Sequence, residues 1–282
     1  MIRLAPRRRQ PGATFSARLG IAGVAVALLA AGCGASGETK VSTAPDPSFI
    51  KPGTLTVCTA PPYPPFELYE NGKSGKIVGF DIDLVNAVAR SLGVKTEVLN
   101  KHFGSISSGR VLNQNQCDVA VAALTISGDR ARIVDFSSPY FSAKQAMVVR
   151  SASGISSLDD LRGGRIGVQK GSTGEIYVTD NAPPGAEIVP YEDADQIDVA
   201  LDSGDLDAAV YDSTVVGDVL KRYPNFEQAD SFPTGEQYGM AVKKNSSVDL
   251  LRVINRVLAQ MPPGSKAYDT IFNRWFPKGT TQ

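Results

Sequence analysis

Thr125 and Arg130, with Ser127 and Asp129 between them, are residue types that can build a site for an anion. A guanidinium is a planar, permanently charged fork that matches a carboxylate, and a threonine hydroxyl and nearby backbone N–H groups add donors. The run before them, Asp118 to Leu124, is apolar without helical spacing and reads as a strand buried on both faces, as parallel strands are. Ser127 then fits the N-cap of a following helix, with Asp129 in its first turn. Thr125 and Arg130 would therefore lie between the C-terminal end of a strand and a helix N-terminus, where open α/β sheets bind ligands. The competing reading is an exposed arginine on a helix surface.

Later segments repeat the pattern. Lys170 to Glu175, KGSTGE, joins the strand Gly164 to Val168 to a helix; Ser172 and Glu175 have capping-box spacing, and the free N–H groups of such a start favour an anion. The segment lacks the glycine and lysine spacing of a phosphate loop. Asp212 follows the strand Asp207 to Tyr211, a place where an aspartate caps the next helix with no ligand at all. His102 is the chain's one histidine, and with no serine or cysteine nucleophile context around it, it reads as a loop residue. No metal or cofactor is expected.

These segments sit in an alternation of strands and helices. Gly53 to Thr59 is a β-branched strand that ends in the proline-rich turn Ala60 to Phe66, which holds two aromatic rings. Asp81 fits the N-cap of a helix whose apolar face is Ile82, Val85, Val88, Ala89 and Leu92, stopped by Gly93. Val94 to Leu99 reads as a strand, Ser105 to Asn115 as a weakly patterned helix and Gln145 to Arg150 as a further strand. Gly164 to Val168 then parallels the first strand, and Leu206 to Val210 parallels Cys117 to Val121, so a second unit of similar construction follows the first. Tyr238 to Val242 reads as a strand, with helices over Val248 to Leu258 and Tyr268 to Trp275.

The 282 residues allow one large domain or two smaller ones, and zero formal net charge without a basic run beyond the N-terminus argues against nucleic acid. A small molecule is the expected partner. At the N-terminus, Arg3, Arg7, Arg8, Arg9 and Arg18 precede an apolar stretch from Leu19 to Ala31, an export signal too short for a spanning helix. It leads into Leu29-Ala30-Ala31-Gly32-Cys33, which resembles a bacterial lipobox with Ala30 where leucine is usual. The expectation is a signal peptide over 1–32, lipidation at Cys33 and a flexible tether over 33–50; the alternative is a soluble exported protein cleaved near Ala31. Outside the cytoplasm Cys58 and Cys117 either pair or remain two buried thiols.

Tyr63-Pro64-Pro65-Phe66-Glu67, Gly79-Phe80-Asp81-Ile82-Asp83-Leu84, Leu124-Thr125-Ile126-Ser127 with Arg130, Asp135-Phe136-Ser137-Ser138-Pro139-Tyr140, Gly171-Ser172-Thr173 and Tyr211-Asp212 stand in this order. Together they resemble the polar amino-acid solute-binding proteins of ABC importers, over about Lys51 to Pro277. The resemblance implies an α/β, two-lobed type II periplasmic-binding-protein fold, with lobe 1 over 51–143 and 238–282, lobe 2 over 144–237, and Gln145 to Arg150 and Tyr238 to Val242 as crossover strands. It implies that Arg130 and the Thr125 hydroxyl hold a ligand α-carboxylate with help from Thr173, that Asp212 takes the α-ammonium, and that Tyr63 and Phe103 flank the side chain; Ala123 and Ser172 are further candidate ligand-binding residues. A monomer that delivers its ligand to an importer permease is expected, anchored to the membrane through Cys33. Ala60 stands where members for cationic or amide ligands often carry aspartate, and Ala122-Ala123 is apolar too. Cationic ligands are therefore disfavoured, and glutamine, glutamate, asparagine and aspartate are preferred, with Lys170 and His102 as candidate donors at the far end of the cleft. The alternative is an enzyme on the same fold, a dehydratase or a peptidoglycan-cleaving enzyme, with Glu67, Glu175 and His102 as its candidate acids and bases.

Overall fold

Apolar strands that alternate with amphipathic helices must bury one face of each helix against a sheet, and here they do so on two separate sheets. The computed structural model describes residues 46–72 and 74–276; the expected leader, Cys33 and most of the tether lie outside the described residues. The chain runs β1 (Thr54–Thr59), β2 (Leu68–Tyr69), β3 (Ile77–Val78), α1 (Phe80–Leu92), β4 (Lys95–Asn100), α2 (Phe103–Ser107), α3 (Arg110–Asn113), β5 (Val119–Ala120), α4 (Gly128–Ile133) and β6 (Val134–Phe136). It continues with β7 (Phe141–Arg150), β8 (Arg165–Gln169), α5 (Thr173–Asn181), β9 (Glu187–Tyr191), α6 (Ala194–Ser203), β10 (Ala208–Asp212) and α7 (Ser213–Arg222). The last elements are β11 (Phe226–Tyr238), β12 (Ala241–Lys243), α8 (Val248–Gln260) and α9 (Lys266–Trp275).

The first sheet has the order β4-β1-β5-β12-β6 and the second β11-β7-β10-β8-β9. In the first, β1 is parallel to β4 and β5, and β12 returns antiparallel between β5 and β6. In the second, β8 is parallel to β9 and β10, while β7 and β11 run antiparallel from Arg150 opposite Phe226 to Phe141 opposite Tyr238. These two strands carry the chain between the sheets, and their ends are tied to the first one: Tyr140 N–H donates to the Tyr238 carbonyl and Thr125 bridges Tyr238. The crossing strands are therefore longer than the sequence pattern indicates, and the second lies almost wholly before Tyr238. Gly239 and Met240 separate β11 from β12, so Tyr238 to Val242 is not one strand.

The crossing is packed on an aromatic hub. The Phe66 ring meets those of Phe141, Tyr238, Phe80 and Phe276 edge-on at 5.0, 5.3, 5.9 and 5.6 Å, which ties the proline-rich turn to both crossing strands and to the start of α1. Gly79 makes this approach possible. Its φ is 142°, and an added Cβ would lie 2.0 Å from the Phe66 carbonyl oxygen. α1 begins directly after it, with Gly79 as N-cap, so Asp81 is not the cap; it lies in the first turn with its side chain buried. Gly93 ends the helix in the left-handed region as expected.

Two further expectations are corrected. Asp118 to Leu124 is buried, but only Val119–Ala120 pairs as a strand; the Val121 N–H still donates to the Cys58 carbonyl, and the chain then turns at Ala123, whose φ is 44°. The helix over Ser105 to Asn115 is broken into α2 and α3 by Gly109 at φ 68°. Cys58 and Cys117 are joined in a disulfide with Cα atoms 5.8 Å apart. It closes a separation of 59 residues, a loop whose closure in the unfolded chain corresponds to about 4 kcal/mol in the chain-entropy view. Gly79→Ala is expected to destabilise the protein by on the order of 3 kcal/mol or more; urea denaturation of the oxidised protein measures it.

Candidate functional site

The C-terminal ends of β1, β5, β8 and β10 lead into loops that meet over one cavity, lined by Ala60, Tyr63, Glu67, Phe103, Ala122, Ala123, Thr125, Gln169, Ser172, Thr173 and Asp212. Tyr63, Phe103, Ala123, Thr125, Ser172, Thr173 and Asp212, seven of the eight residues expected to bind the ligand, line it; Arg130 is the eighth. Arg130 lies alongside at 6% exposure, with its guanidinium 5.6 Å from the Phe103 ring centroid. The exposed-arginine reading is thereby excluded. Ser127 caps α4 by accepting the Arg130 N–H, which turns that side chain inward. Its Nη1 donates to the Thr125 carbonyl at 2.8 Å, and its Nη2 reaches the Gly171 carbonyl at 2.9 Å on the other side of the cleft. Desolvation lowers the Arg130 pKa, against the attraction of Asp212 and Glu236.

Asp212 occupies the N-cap position of α7 but makes no capping bond with its side chain. Its carboxylate instead accepts from Gln145 Nε2 at 2.6 Å and from the Tyr238 hydroxyl, so the capping explanation fails. Burial first, and Glu236 next, push its pKa up to about 6, against the pull of Tyr238, Gln145 and Arg130. Ser172 does cap, accepting the Glu175 N–H at 3.0 Å, while the Glu175 carboxylate accepts the Gly171 N–H. Thr173, the first residue of α5, directs its hydroxyl into the cleft.

Below the cavity lies a pair of buried acids. Asp81 Oδ2 accepts the Ala123 N–H at 2.7 Å, which holds the left-handed turn that brings Ala122 and Ala123 to the cavity wall. Its Oδ1 has no hydrogen-bond partner, and the neighbouring Tyr140 hydroxyl stops short of regular hydrogen-bond geometry. Desolvation raises Asp81 to about 7, against the hydrogen bond from Ala123. Glu67 is 1% exposed with Oε2 unpartnered, and burial, then Asp81 and Asp212, hold its carboxyl well above the usual range.

Lys170 and His102 do not reach the cavity. Lys170 pairs with Glu192 at 2.7 Å, and His102 faces Asp193 at 3.6 Å with its side chain 70% exposed. Glu175 is occupied by its capping role. The sequence reading missed Gln145, Gln169 and the Tyr238 hydroxyl. A glutamine opening an otherwise apolar strand segment, QAMVV, was the available signal for Gln145, which is 0% exposed. Among the described residues no group of His, Cys, Asp and Glu could hold a metal ion.

Two sheets, two crossing strands and a cleft lined from both sides define a two-lobed binding protein of the periplasmic type. Residues 55–278 match the family described as bacterial extracellular solute-binding proteins, family 3, and the chain belongs to it. A probable histidine-binding protein of Neisseria gonorrhoeae is 31% identical over 260 residues, 89% of this chain and 92% of the relative. The ABC transporter glutamine-binding protein of Bacillus subtilis is 33% identical over 208 residues, 73% of this chain and 75% of the relative. Among solved structures, an ancestral arginine-binding protein bound to glutamine is 40% identical with a TM-score of 0.72, covering 79% of this chain and 98% of that one.

The raised acids set a pH dependence. A carboxyl whose pKa is raised by folding contributes stability that is present below its unfolded value of about 3.9 and lost as pH rises through the folded value. For Asp81 that loss runs up to about 7. The protein is expected to lose stability between about pH 4 and 7, at no more than about 1.4 kcal/mol per pH unit for each carboxyl. Asp81→Asn should flatten this slope, as urea midpoints across the range would show.

Proposed function

We propose that the protein is an extracytoplasmic receptor for a polar L-amino acid that hands its ligand to an ABC importer, with lobe 1 over 51–143 and 238–282 and lobe 2 over 144–237. The observation that carries this is the placing of Arg130, the Thr125 and Thr173 hydroxyls and Asp212 around one cleft between the two sheets. A zwitterion needs a fixed cation, a fixed anion and donors between them. Arg130 and the two hydroxyls suit its carboxylate, Asp212 its ammonium, and Tyr63 and Phe103 the stem of its side chain. Family membership supports the receptor role, since the named relatives are binding proteins for amino acids. The lipobox-like Cys33 supports a lipid anchor, and a monomer needs no second copy to complete the cleft.

Side-chain preference turns on Glu67. The cavity wall carries no lysine or histidine, and three buried acids, Glu67, Asp81 and Asp212, lie in or under it, so glutamate and aspartate lose the support that Lys170 and His102 were to give. Burial favours the neutral form of the Glu67 carboxyl, and a neutral carboxyl both donates and accepts, which matches a carboxamide on both of its atoms. Glutamine and asparagine are therefore the ligands this cleft fits best. Arginine is the competitor, because relatives are named for it and an ionised Glu67 would pair with a guanidinium. The protein has no reaction of its own in this reading. Glu67 is the acid an enzyme would use, and an ancestral amino-acid-binding protein named as a precursor of cyclohexadienyl dehydratase is 34% identical to the chain, so turnover of bound ligand is the outcome that would favour the enzyme.

Arg130→Ala should lower affinity for every α-amino acid by about 2 to 5 kcal/mol while the protein stays folded; calorimetry at wild-type affinity would refute the carboxylate assignment. In competition binding glutamine should displace arginine, and Glu67→Gln should keep glutamine binding within about tenfold. Tighter arginine binding that Glu67→Gln abolishes would reassign the ligand.

A further inference from the structure

Glu236 lies near the end of β11, directly after the register irregularity between Phe232 and Glu236, and is 8% exposed. Its Oε2 accepts from the Thr125 hydroxyl at 2.7 Å and from the Thr173 hydroxyl at 2.7 Å. Its Oε1 accepts from Gln145 Nε2 at 2.8 Å and from the Thr234 hydroxyl at 2.9 Å. Thr125 belongs to the loops of the first sheet and Thr173 to the helix start over the second, so one carboxylate ties the two sides of the cleft together. A threonine hydroxyl carries a single hydrogen. Both hydrogens are committed to Glu236, and neither is available to a second anion.

Resting on the reading of the cleft as an amino-acid site, we propose that Glu236 is an internal stand-in for the ligand α-carboxylate. It takes the two hydroxyls that the ligand needs, latches the cleft shut without a ligand, and is displaced when an amino acid binds. The exchange is balanced in charge, because one carboxylate leaves the hydroxyls beside Arg130 as another arrives. It is also needed for space: the cavity has a volume of about 20 Å³, enough for roughly one water, and Arg130 already spans the cleft to the Gly171 carbonyl. The local chain gives Glu236 room to withdraw. Pro233 to Gly235 make no register pairs with β7, and Gly235 sits at φ 65° with nothing within 4 Å of where its Cβ would be. Gln145 Nε2 keeps Asp212 as a partner at 2.6 Å after Glu236 leaves, so the site for the ammonium survives the exchange.

A latch lowers apparent affinity by the fraction of molecules it holds shut. The test compares wild type with Glu236→Gln and Glu236→Asp, the latter charged but one methylene too short to bring its oxygen to the two hydroxyls. Small-angle X-ray scattering without ligand and calorimetry with the best ligand of an amino-acid panel are the two readouts. Both variants should be more open than wild type without ligand and should bind on the order of tenfold more tightly. Unchanged ligand-free scattering, or affinity that is equal or weaker in both variants, would overturn the proposal. If wild type binds no amino acid the receptor reading falls, and the ligand-free scattering still decides whether Glu236 is a latch.

Discussion

One buried guanidinium facing two buried carboxylates is the constraint on which the cleft depends. Arg130, Asp212 and Glu236 are each less than a tenth exposed, and isolated charges in such a place would be costly. The chain offsets that cost with hydrogen bonds: carbonyls for Arg130, hydroxyls for Glu236, and Gln145 and Tyr238 for Asp212. Gln145 is the joint of the network, since its single Nε2 serves Asp212 and Glu236 together. Two of these residues, Gln145 and Glu236, lie on the strands that cross between the sheets. The polar groups of the cleft and the crossing are therefore parts of one network, and a change in one is felt in the other.

Beneath it, the structure keeps the crossing fixed by apolar means. Phe66, at the end of the proline-rich turn, packs on both strands, and the turn in turn places Tyr63 and Glu67 at the cavity. Gly79 permits that packing because any side chain there would collide with the Phe66 carbonyl. Asp81 then holds Ala123 from below, so the α1 start supports the cavity floor as well as the hub. Loops carry the groups that line the cleft, and rigid elements set their positions.

Much of this was legible in the sequence where local chemistry decides the outcome. Ser127 and Ser172 cap the helices expected of them, Gly93 stops α1, and Thr125, Thr173 and Asp212 meet at the cavity. What was not legible depends on contacts distant in the chain. Asp81 looks like a helix cap, but Gly79 takes that position because of Phe66, and the carboxyl is left for Ala123. Apolar Asp118 to Leu124 looks like a strand until Ala123 turns it. Glu236 and Gln145 sit in strand sequences with no motif around them, and only the crossing of β7 and β11 brings them under the cleft. Lys170 and His102 stand beside cleft residues in sequence yet pair with acids on the outer surface.

We propose that both charges of an amino acid are recognised together, the carboxylate by Arg130 with the threonine hydroxyls and the ammonium by Asp212. The most direct measurement is calorimetry with the best amino-acid ligand, its α-carboxamide and its N-acetyl derivative. The account predicts heat of binding for the free amino acid and at least about a hundredfold loss for each derivative, the cost of leaving one buried charge unpaired. Binding of either derivative at an affinity equal to that of the free amino acid would contradict it.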